Sequence, residues 1–237
     1  MIRDSMLFWY PKVKDLPIPQ PKTEILKLSK EERSLLVSEN VPLSIVVRVK
    51  KVCDKMGYPC FLRTDLASGK HQWKDSCYIE NDKDLQKHIF EVVCFNLCAD
   101  IMGLDFWALV VREFIQMDTY FTAFWGEMPV NPERRYFIKN HQVICHHCYW
   151  IPEAIEQSKA PIVDNWRELC ELMKFESNEE VALLIGYTKI IAEVFDGYWS
   201  VDFCKAKKDG RWIFIDMATG ERSWHPVCHK AMFGEKK

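Results

Sequence analysis

The chain has 237 residues, with 32 lysines and arginines against 34 aspartates and glutamates, and a net charge of −2 at pH 7. This balance excludes a global basic field of the kind that attracts nucleic acid, and the length suits one large domain or two small lobes that share a cleft. The ten cysteines are scattered, with no signal peptide ahead of them, which is typical of reduced thiols in the cytoplasm rather than of a disulfide framework.

No stretch of the sequence is a candidate membrane span. A membrane helix needs about 20 consecutive apolar residues. The most apolar region, residues 89–115, is interrupted by Glu91, Asp100, Asp105, Arg112 and Glu113. The sequence also has no internal repeats and no low-complexity segments, so we expect an ordinary folded protein without a membrane partner.

Prolines mark the first part of the chain, and helices and strands alternate after it. Residues 1 to about 28 include the run YPKVKDLPIPQP, which favours extended chain over helix. The predicted elements that follow are a helix over 44–56 ended by Gly57, a strand over 58–64, a polar loop over 65–70, a strand over 77–80, and a helix over 83–102 stopped by Gly103.

The second half of the chain is predicted to contain antiparallel pairs of strands. In order, the elements are a strand over 107–115, a hairpin with strands 135–138 and 143–149, helices over 165–174 and 177–196, and a final hairpin over 198–224. The last helix begins with the capping box of Ser177 and Glu180. Hairpins imply antiparallel sheets, so the predicted fold class is α+β.

The final hairpin carries an acidic residue in each strand where a core residue is expected. Asp202 and Asp216 are each flanked by apolar residues, in VDF and IDM. Carboxylates are rarely buried unless they are paired or bind a metal ion. Two such acids across one hairpin therefore suggest a cation between them. The alternative is that one or both lie on a solvated face and pair with lysines.

The register of this hairpin depends on the length of its turn. A two-residue turn would put Asp202 opposite Met217, with the two acids on opposite faces of the sheet. A three-residue loop over 208–210 puts Asp202 directly opposite Asp216, and Gly210 then takes the left-handed position that such loops favour. We predict the three-residue loop. Two opposed acids destabilise the pair unless something positive lies between them.

Two further segments carry cations suited to phosphate. The loop RTDLASGKH, residues 63–71, combines Arg63 and Lys70 with small residues, which let backbone N–H groups approach an anion closely. In ERRYFI, residues 133–138, an inward Arg135 would bind a triphosphate bidentately. Beside phosphate, hard oxygen ligands favour Mg²⁺ over zinc. The alternatives are an ordinary surface turn for the loop and a charge that protects a strand edge for the arginine.

The run CHHC, residues 145–148, is a candidate zinc site. A strand sends alternate side chains to opposite faces, however, so these four side chains do not all reach one ion. Cys228 and His229 are the only remote candidates for a second ligand pair. The sequence contains no motif of a nucleophilic hydrolase, a Rossmann domain or a zincin.

Taken in order, these segments resemble the ATP-grasp family from about residue 40 to 226. The family has a strand with a cation, a loop of small residues, a hinge strand, a strand with an inward arginine, and a final hairpin with two metal-binding acids. The matching segments here are FLRTD, LASGKHQW, LVVREFI, ERRYFI, and VDF with FIDM. The chain is similar to phage and bacterial ATP-grasp proteins and, more distantly, to cell-division-cycle 123 proteins, in which an ERRYFI-like segment also precedes the last acids.

The resemblance implies an architecture of two α+β lobes whose antiparallel sheets clamp a nucleotide, with a short N-terminal lobe. The implied division is a proline-marked N-terminal segment over 1–40, a lid and small lobe over 41–106, and a C-terminal lobe with the hinge and the metal hairpin over 107–237. The resemblance also implies a cytoplasmic location, which is the cytoplasm of the host if the protein is phage-encoded.

The resemblance assigns ATP and Mg²⁺ to individual residues. Arg63 takes the place of the usual lysine near the α-phosphate and the adenine edge, and Arg135 faces the β- and γ-phosphates. Asp202 and Asp216 hold Mg²⁺. The other implied contacts are the phosphate lid of Ser68, Gly69, Lys70 and His71, the adenine hinge of Arg112, Glu113, Phe114 and Ile115, and Asp118 at the ribose.

The family's pattern is not complete in this sequence. Ala218 stands where the family usually has an asparagine two residues after the second acid, and Thr219 or Glu221 are candidate substitutes. Past the metal hairpin, Arg222 and His225 are candidates for holding an acceptor carboxylate or the transferred phosphate. The alternative for Arg222 is a salt bridge with Glu221 or with the second acid of the hairpin, Asp216.

The activity that the resemblance implies is an ATP- and Mg²⁺-dependent ligation of a carboxylate to an amine, on a peptide or a small amino compound, through an acyl phosphate. Such a reaction depends on positioning and charge neutralisation, so no nucleophilic side chain is expected. One competing hypothesis is a non-catalytic ATP-binding assembly factor with a protein client, as in the cell-division-cycle 123 proteins. Another is a metal-binding interaction module built on the CHHC run.

Overall fold

A computed structural model of the chain describes residues 2–38, 40–99, 105–125, 128–159 and 161–225. The helices are α1 (Met6–Val13), α2 (Lys30–Val37), α3 (Leu43–Met56), α4 (Leu85–Ala99), α5 (Pro152–Ile155), α6 (Trp166–Met173) and α7 (Asn178–Ala192). The strands are β1 (Thr23–Lys27), β2 (Cys60–Thr64), β3 (Tyr78–Ile79), β4 (Ala108–Glu113), β5 (Phe121–Ala123), β6 (Met128–Val130), β7 (Glu133–Lys139), β8 (Gln142–Cys148), β9 (Tyr198–Lys205) and β10 (Trp212–Thr219). None of the helices in the described ranges has the length and hydropathy of a bilayer-spanning segment.

The strands form two four-stranded sheets and one short hairpin. The first sheet has the order β1-β4-β2-β3, the second has the order β10-β9-β7-β8, and β5 pairs with β6. Neighbouring strands are antiparallel in both sheets. This architecture confirms the predicted α+β class with antiparallel sheets.

Each sheet packs helices against an apolar face. In the first core, Val111 of β4 is buried with Val49 of α3. In the second core, Phe203 of β9 is buried with Trp9 of α1 and Ile191 of α7. The two cores leave the opposite face of the second sheet free to carry polar side chains.

Strand β4 is buried on both faces and joins the two cores. Its Leu109 and Val111 belong to the first core, whereas Val110 belongs to the second. Arg112 follows on the Val110 face, and its Nη1 donates a hydrogen bond to the carbonyl of Ile215 in β10 at 2.5 Å. The sheet that contains β4 also contains β1 and β2, on either side of the predicted boundary at residue 40. The division into lobes stays a prediction.

Helix α1 replaces the extended chain predicted for this segment, so that prediction was wrong. Pro11 lies inside the helix, where a proline costs roughly 3 kcal/mol. Met6, Trp9 and Val13 are all buried, and burial of each large apolar side chain contributes about 1.5–3 kcal/mol. Together with the N-cap supplied by Ser5, tertiary packing outweighs the local preference of the proline.

Capping residues fix the starts of two helices. Helix α2 is not among the elements predicted above, although Ser29 and Glu32 form a complete capping box: Ser29 Oγ accepts from Glu32 N at 3.1 Å, and the Glu32 carboxylate accepts from Ser29 N at 2.9 Å. At α7, only half of the predicted box forms. Ser177 Oγ accepts from Glu180 N at 3.2 Å, but the Glu180 carboxylate accepts from Lys205 Nζ at 2.6 Å instead.

The final hairpin places Asp202 directly opposite Asp216, which confirms the predicted pairing. The predicted three-residue loop was wrong. Ala206 N donates to the carbonyl of Arg211 at 2.9 Å, so the loop has the four residues 207–210. A β-bulge between Phe214 and Asp216 then shifts the register by one residue and restores the opposition of the acids. The carbonyl of the bulged residue is the one that accepts from Arg112.

Asp65 ties the loop after β2 to two other segments. The side chain is buried, and its Oδ1 accepts hydrogen bonds from the backbone N–H groups of Trp107 at 2.8 Å and Ala108 at 3.0 Å. Its Oδ2 accepts from the hydroxyl of Ser5, the N-cap of α1. One carboxylate therefore holds α1, β2 and the start of β4 together.

We expect Asp65→Ala to lower the free energy of unfolding by about 2–4 kcal/mol, because two buried backbone N–H groups lose their acceptor. Urea denaturation followed by tryptophan fluorescence measures this change. Asp75→Ala is the matched control, since Asp75 is exposed and pairs with exposed Lys87, and we expect an effect within about 0.5 kcal/mol. Equal effects of the two variants would contradict the anchoring role.

Candidate functional site

A cavity of about 710 Å³ opens between the two sheets. Its walls come from β2, from the loop and short 3₁₀ helix that follow β2, from the segment after β4, and from the polar face of the second sheet. We call residues 113–117, which lead out of β4, the hinge segment. Because both sheets contribute to the walls, a bound molecule would contact both.

Four polar side chains stand in one row across the second sheet. Arg135 of β7 lies opposite Asp202 of β9 on one side and opposite His147 of β8 on the other. Asp202 in turn lies opposite Asp216 of β10. Directly opposed residues share a face of the sheet, so all four are on one face, and Arg135, Asp202 and Asp216 line the cavity.

Each acid of this row is paired with an arginine. Arg135 donates to Asp202 in a bidentate arrangement, from Nε to Oδ1 at 2.8 Å and from Nη2 to Oδ2 at 2.7 Å. Arg63, on β2 of the first sheet, donates from Nη1 to Asp216 Oδ2 at 2.7 Å. The second of these ion pairs crosses the cavity and connects the two sheets. The charges of the two acids are thus balanced by arginines rather than by the lysines that the alternative interpretation expects.

The charges around Asp216 determine its ionisation. Burial acts to raise the pKa of Asp216, but the charge and hydrogen bond of Arg63, with the charge of Arg112, hold it below its ordinary value. Burial and the neighbouring Arg63 lower the pKa of Arg112 to about 10. Asp216 is therefore ionised at neutral pH, as a metal-binding carboxylate must be.

Most of the site residues predicted from the sequence lie in the cavity wall. The predicted residues that line the cavity are Arg63, Ser68, Lys70, Arg112, Glu113, Phe114, Ile115, Arg135, Asp202 and Asp216. Their roles toward a ligand stay predictions. What the structure shows is that residues from six separate stretches of the sequence converge on one space.

Two residues of the predicted lid lie outside the cavity wall. Gly69 packs against Ser76, whose hydroxyl donates to the Gly69 carbonyl at 2.6 Å. A side chain at Gly69 would collide with that hydroxyl, because a Cβ would lie 2.9 Å from it. The ring of His71 stacks on Phe124 at a centroid distance of 4.3 Å. In this arrangement, the lid presents Ser68 and Lys70 to the cavity, and it anchors its other two residues elsewhere.

Three more predicted residues stand apart from the cavity wall. The backbone N–H of Asp118 donates to the carbonyl of Lys205 at 3.1 Å. Arg222 pairs with Asp4 at 3.3 Å rather than with either acid considered above. His225 Nε2 lies 2.9 Å from Cys145 Sγ.

Asp4 also engages one of the candidate substitutes for the missing asparagine. Its Oδ1 accepts from both the backbone N–H of Thr219, at 2.6 Å, and the hydroxyl of Thr219, at 2.7 Å. The other candidate, Glu221, is exposed and lies outside the cavity wall. Neither residue is therefore placed to replace the asparagine ligand.

Comparison with models of known protein families identifies the family to which this chain belongs. The model of an ATP-grasp domain, the third family of its clade, matches residues 49–234, which is most of the sequence. The chain belongs to this ATP-grasp family. The resemblance inferred from the sequence is thereby confirmed. None of the curated proteins matches the chain.

Solved structures similar to this ATP-grasp chain share its fold. Cdc123 from Schizosaccharomyces pombe superposes with a TM-score of 0.62 at 13% identity, covering 99% of this chain and 92% of that one. D-alanyl-alanine synthetase A from Vibrio cholerae superposes with a TM-score of 0.50 at 9% identity, covering 91% of this chain and 55% of that one. At such identities, the likeness concerns the fold alone, and it confirms the predicted ATP-grasp fold and the distant similarity to Cdc123.

ATP-grasp domains bind ATP, usually with Mg²⁺, and the paired acids of this chain suit that ion. Asp202 and Asp216 supply carboxylate oxygens in one wall, and Mg²⁺ is commonly held by one or two carboxylates together with substrate phosphates. Ala218 also lies in the wall but offers no side-chain ligand atom. Within the described ranges, no three acidic, histidine or cysteine side chains are grouped to hold a metal ion, so phosphate and water oxygens would complete the coordination.

Two further residues, Glu133 and Tyr149, lie beside Lys70 in the cavity wall and are not among the predicted site residues. Lys70 Nζ donates to Tyr149 Oη at 3.1 Å and lies 4.4 Å from the centre of that ring. Glu133 is buried, and burial raises the pKa of its carboxyl even though the charge of Lys70 opposes the shift. Alternation along β7 does predict Glu133, because it stands two residues before Arg135 and so shares its face.

An aromatic cluster forms the wall of the cavity on the hinge side. Trp73 stacks on Tyr78 at a centroid distance of 4.7 Å, and both rings contact Phe114 of the hinge segment, at 5.4 and 5.2 Å. No sequence pattern predicts this cluster, because Trp73 follows the short 3₁₀ helix, Tyr78 lies in β3 and Phe114 belongs to the hinge segment. The cluster gives this end of the cavity the apolar surface that a planar base requires.

The CHHC run follows the alternation expected of a strand. Cys145 and His147 lie on the face that carries the polar row, whereas His146 and Cys148 lie on the other face. His146 Nε2 bonds to Glu176 at 3.0 Å, and Cys148 accepts from Arg134 at 3.7 Å. The four side chains of the run therefore do not converge on one ion.

His147 makes the stability of the fold depend on pH. Its Nδ1 donates to the carbonyl of Cys148 at 2.7 Å, and burial lowers the pKa of the ring to about 4. The unfolded chain, with an ordinary histidine pKa near 6.5, then binds more protons than the folded chain between these two values. The contribution of His147 is present above about pH 6.5 and is lost as the pH falls toward 4.

We expect His147 to account for a loss of about 2 kcal/mol in the free energy of unfolding between pH 7 and pH 5. Urea denaturation at the two pH values measures this loss, and His147→Gln should reduce it by about the same amount. The matched control is His141→Gln, which removes an exposed histidine by the same substitution. A pH dependence unaffected by His147→Gln would contradict the assignment.

Proposed function

We propose that this chain binds ATP with Mg²⁺ in the cavity and uses it to join a carboxylate to an amine through an acyl phosphate. The observation that supports this function is the convergence on one space of two opposed acids, Asp202 and Asp216, with Arg63, Lys70 and Arg135. An arrangement of two carboxylates and three cations suits a metal–triphosphate complex better than it suits a neutral ligand.

The two ends of the cavity have different walls, and this difference favours one orientation of the nucleotide. The base would lie at the hinge segment, against Trp73 and Phe114, with backbone groups of Glu113 and Ile115 at its edge. The triphosphate would extend to the polar row, where arginines are suited to bidentate contacts with phosphate oxygens. Lys70 and the backbone of the lid would cover it.

Asp202 and Asp216 would hold Mg²⁺, which when bound supplies positive charge to the β- and γ-phosphates. Arg135 and Arg63 would then exchange their carboxylate partners for phosphate oxygens. The two arginines thus serve the free chain by balancing the acids and the bound chain by binding phosphate. In the free and in the bound chain, each of these buried charges therefore has a partner of opposite sign.

The reaction proceeds in two displacements. An oxygen of the substrate carboxylate attacks the γ-phosphorus, the bond from that phosphorus to the β–γ bridging oxygen breaks, and ADP leaves. The amine nitrogen then attacks the acyl carbon, the bond from that carbon to the phosphate oxygen breaks, and phosphate leaves as the nitrogen loses a proton. The side chains position the reactants and balance charge, and none of them forms a covalent bond. The carboxylate and the amine belong to a peptide or to small molecules.

Ala218 favours a second candidate, an ATP-binding assembly factor without turnover that acts on a protein client. This residue lies in the cavity wall two positions after Asp216, where the family usually has an asparagine. A metal site with one ligand fewer would still retain ATP but would neutralise the transferred phosphate less completely. The two candidates share the site and differ in turnover.

Release of ADP in the presence of ATP, Mg²⁺ and pooled amino acids or peptides distinguishes these candidates. Turnover that requires both a carboxylate and an amine would support the ligase, and saturable ATP binding without turnover would support the assembly factor. We expect Ala218→Asn to raise Mg²⁺ affinity about tenfold, in the range by which contacts at a metal site usually act. Asp216→Asn, which removes a proposed Mg²⁺ ligand, is the negative control for Mg²⁺ affinity. Failure of the natural chain to bind ATP would overturn both candidates.

A further inference from the structure

A short segment after β10 crosses the face of the second sheet that carries the polar row. We call residues 220–225 the strap, and none of them lines the cavity. The hydroxyl of Ser223 shares a hydrogen bond of 2.6 Å with the hydroxyl of Ser200 in β9. The ring of His225 lies against Phe137 of β7, with 4.0 Å between the ring centroids. The strap therefore covers at least two strands of this sheet.

The strap lies beyond the polar row, on the side away from the hinge segment. Phe137 and Ser200, the residues that it covers, are directly opposed, and each is two residues from the polar row along its own strand. Two residues of a strand span about 7 Å, and they share a face. Met117 of the hinge segment bridges to Ala206, on the opposite side of the row. The order along this face is thus hinge segment, polar row and strap.

This order determines what an attacking group would meet. With the base at the hinge segment and the triphosphate at the polar row, the γ-phosphate points toward the strap. The attacking and leaving oxygens of a phosphoryl transfer are roughly in line, so the attacking group approaches from the strap side. We propose, resting on the function proposed above, that the strap is a gate. When closed, it keeps attacking groups from the γ-phosphate, and when it lifts, it admits the acceptor carboxylate.

Two sets of contacts hold the start of the strap. The carboxylate of Asp4 accepts from the backbone N–H and the hydroxyl of Thr219, directly before the strap, and pairs with Arg222 at 3.3 Å. Gly220 is buried against the ring of Tyr198, and a Cβ at this position would lie 2.3 Å from two carbons of that ring. A side chain at Gly220 therefore does not fit while the strap is closed.

The closed strap also has a cost. Trp224 contacts the ring of His147 edge to face, with 5.2 Å between the ring centroids. The Nε2 of His147 is buried and has no hydrogen-bond partner among the residues that the structure describes. A buried acceptor without a donor is unfavourable, and lifting of the strap would let water donate to this nitrogen. Trp224 itself is 49% exposed, so its release uncovers little further apolar surface.

Release of ADP from ATP and Mg²⁺ without an added acceptor tests the gate, with water as the attacking group. The water oxygen attacks the γ-phosphorus, the bond to the β–γ bridging oxygen breaks, and ADP and phosphate leave. Gly220→Ala adds a methyl group that collides with Tyr198 and should lift the strap. We expect this variant to release ADP about tenfold faster than the natural chain, in proportion to the open fraction. Its affinity for ATP in calorimetric titration should change less than about twofold, because the strap does not line the cavity.

Gly186→Ala is the matched control, since a Cβ at this exposed position of α7 would have no atom within 4 Å. This control should release ADP at the natural rate. Asp4→Ala keeps the test valid if Gly220→Ala does not fold, because it removes the partner of Arg222 and of Thr219. Cleavage by trypsin after Arg222, followed by mass spectrometry, reports lifting of the strap without any turnover, and it should be faster in both strap variants.

Faster cleavage after Arg222 with unchanged ADP release would overturn the gate, and so would unchanged cleavage in both strap variants. Equal acceleration of ADP release in Gly186→Ala would also overturn it. In each of these cases, ATP binding by the natural chain would leave the proposed function intact. Absence of ATP binding in the natural chain would overturn the proposed function and this inference together.

Discussion

The Asp202→Asn variant should bind ATP at most about threefold more tightly with Mg²⁺ than without it, whereas the natural chain should bind ATP roughly 10- to 100-fold more tightly with Mg²⁺. In the free chain, Asp202 holds Arg135 through two hydrogen bonds. Mg²⁺ would take over the carboxylate and release the arginine for phosphate. The asparagine variant releases the arginine permanently and removes one of the two metal ligands. The exchange of partners is therefore lost, and only the contact of Asp216 with the metal retains a small part of the Mg²⁺ dependence.

Calorimetric titration of ATP in Mg²⁺ and in EDTA measures this difference directly. Asp15→Asn is the matched control, because it makes the same change in charge at a side chain that is 85% exposed. That variant should keep the full Mg²⁺ dependence. An Asp202→Asn chain that also keeps it would show that the metal does not use this carboxylate.

The second large effect concerns stability. Arg135→Met should lower the free energy of unfolding by about 3–5 kcal/mol, because it leaves the carboxylate of Asp202 buried without its bidentate partner. The side chain of Asp202 is only 9% exposed, so water compensates little of the loss. Chemical denaturation at pH 7 measures the change. Arg211→Met is the matched control, since its ion pair with Asp209 is on the exposed hairpin loop and should contribute less than about 1 kcal/mol.

A double variant separates the two roles of Arg135. Arg135→Met with Asp202→Leu removes both members of the pair, and replacement of a buried ion pair by apolar side chains is often nearly neutral for stability. The double variant should therefore regain most of the lost stability while failing to bind ATP with Mg²⁺. Recovery of ATP binding along with stability would show that the arginine acts on the fold alone.

Local sequence signals predicted most of the long helices and strands. They did not predict α1, β1 and α2 at the start of the chain, or β5, β6 and α5 in its second half. The opposition of Asp202 and Asp216 was predicted from alternation and a three-residue turn, both of which are properties of neighbouring residues. The actual loop is one residue longer, and the bulge that compensates is stabilised by Arg112, which is distant in sequence. Helix α1 likewise forms because Trp9 is buried by distant strands. Local preferences alone do not predict either feature.

The candidate site also combines residues that local patterns predict with residues that only the tertiary structure brings into it. Residues within a recognisable pattern, such as Arg63 and Arg135, were found because motif order places them. Glu133 also follows from alternation, because it stands two residues before Arg135 and shares its face of β7. Trp73 and Tyr149 become wall residues only when the lid folds against the second sheet, and no spacing in the sequence reports that contact.

The position of strand β4 determines how the chain unfolds. Alternate residues of this one strand fill both apolar cores, and Arg112 at its end donates to the bulge of β10. Melting either sheet would expose residues that the other sheet buries, so the chain should denature as a single cooperative unit with one calorimetric transition.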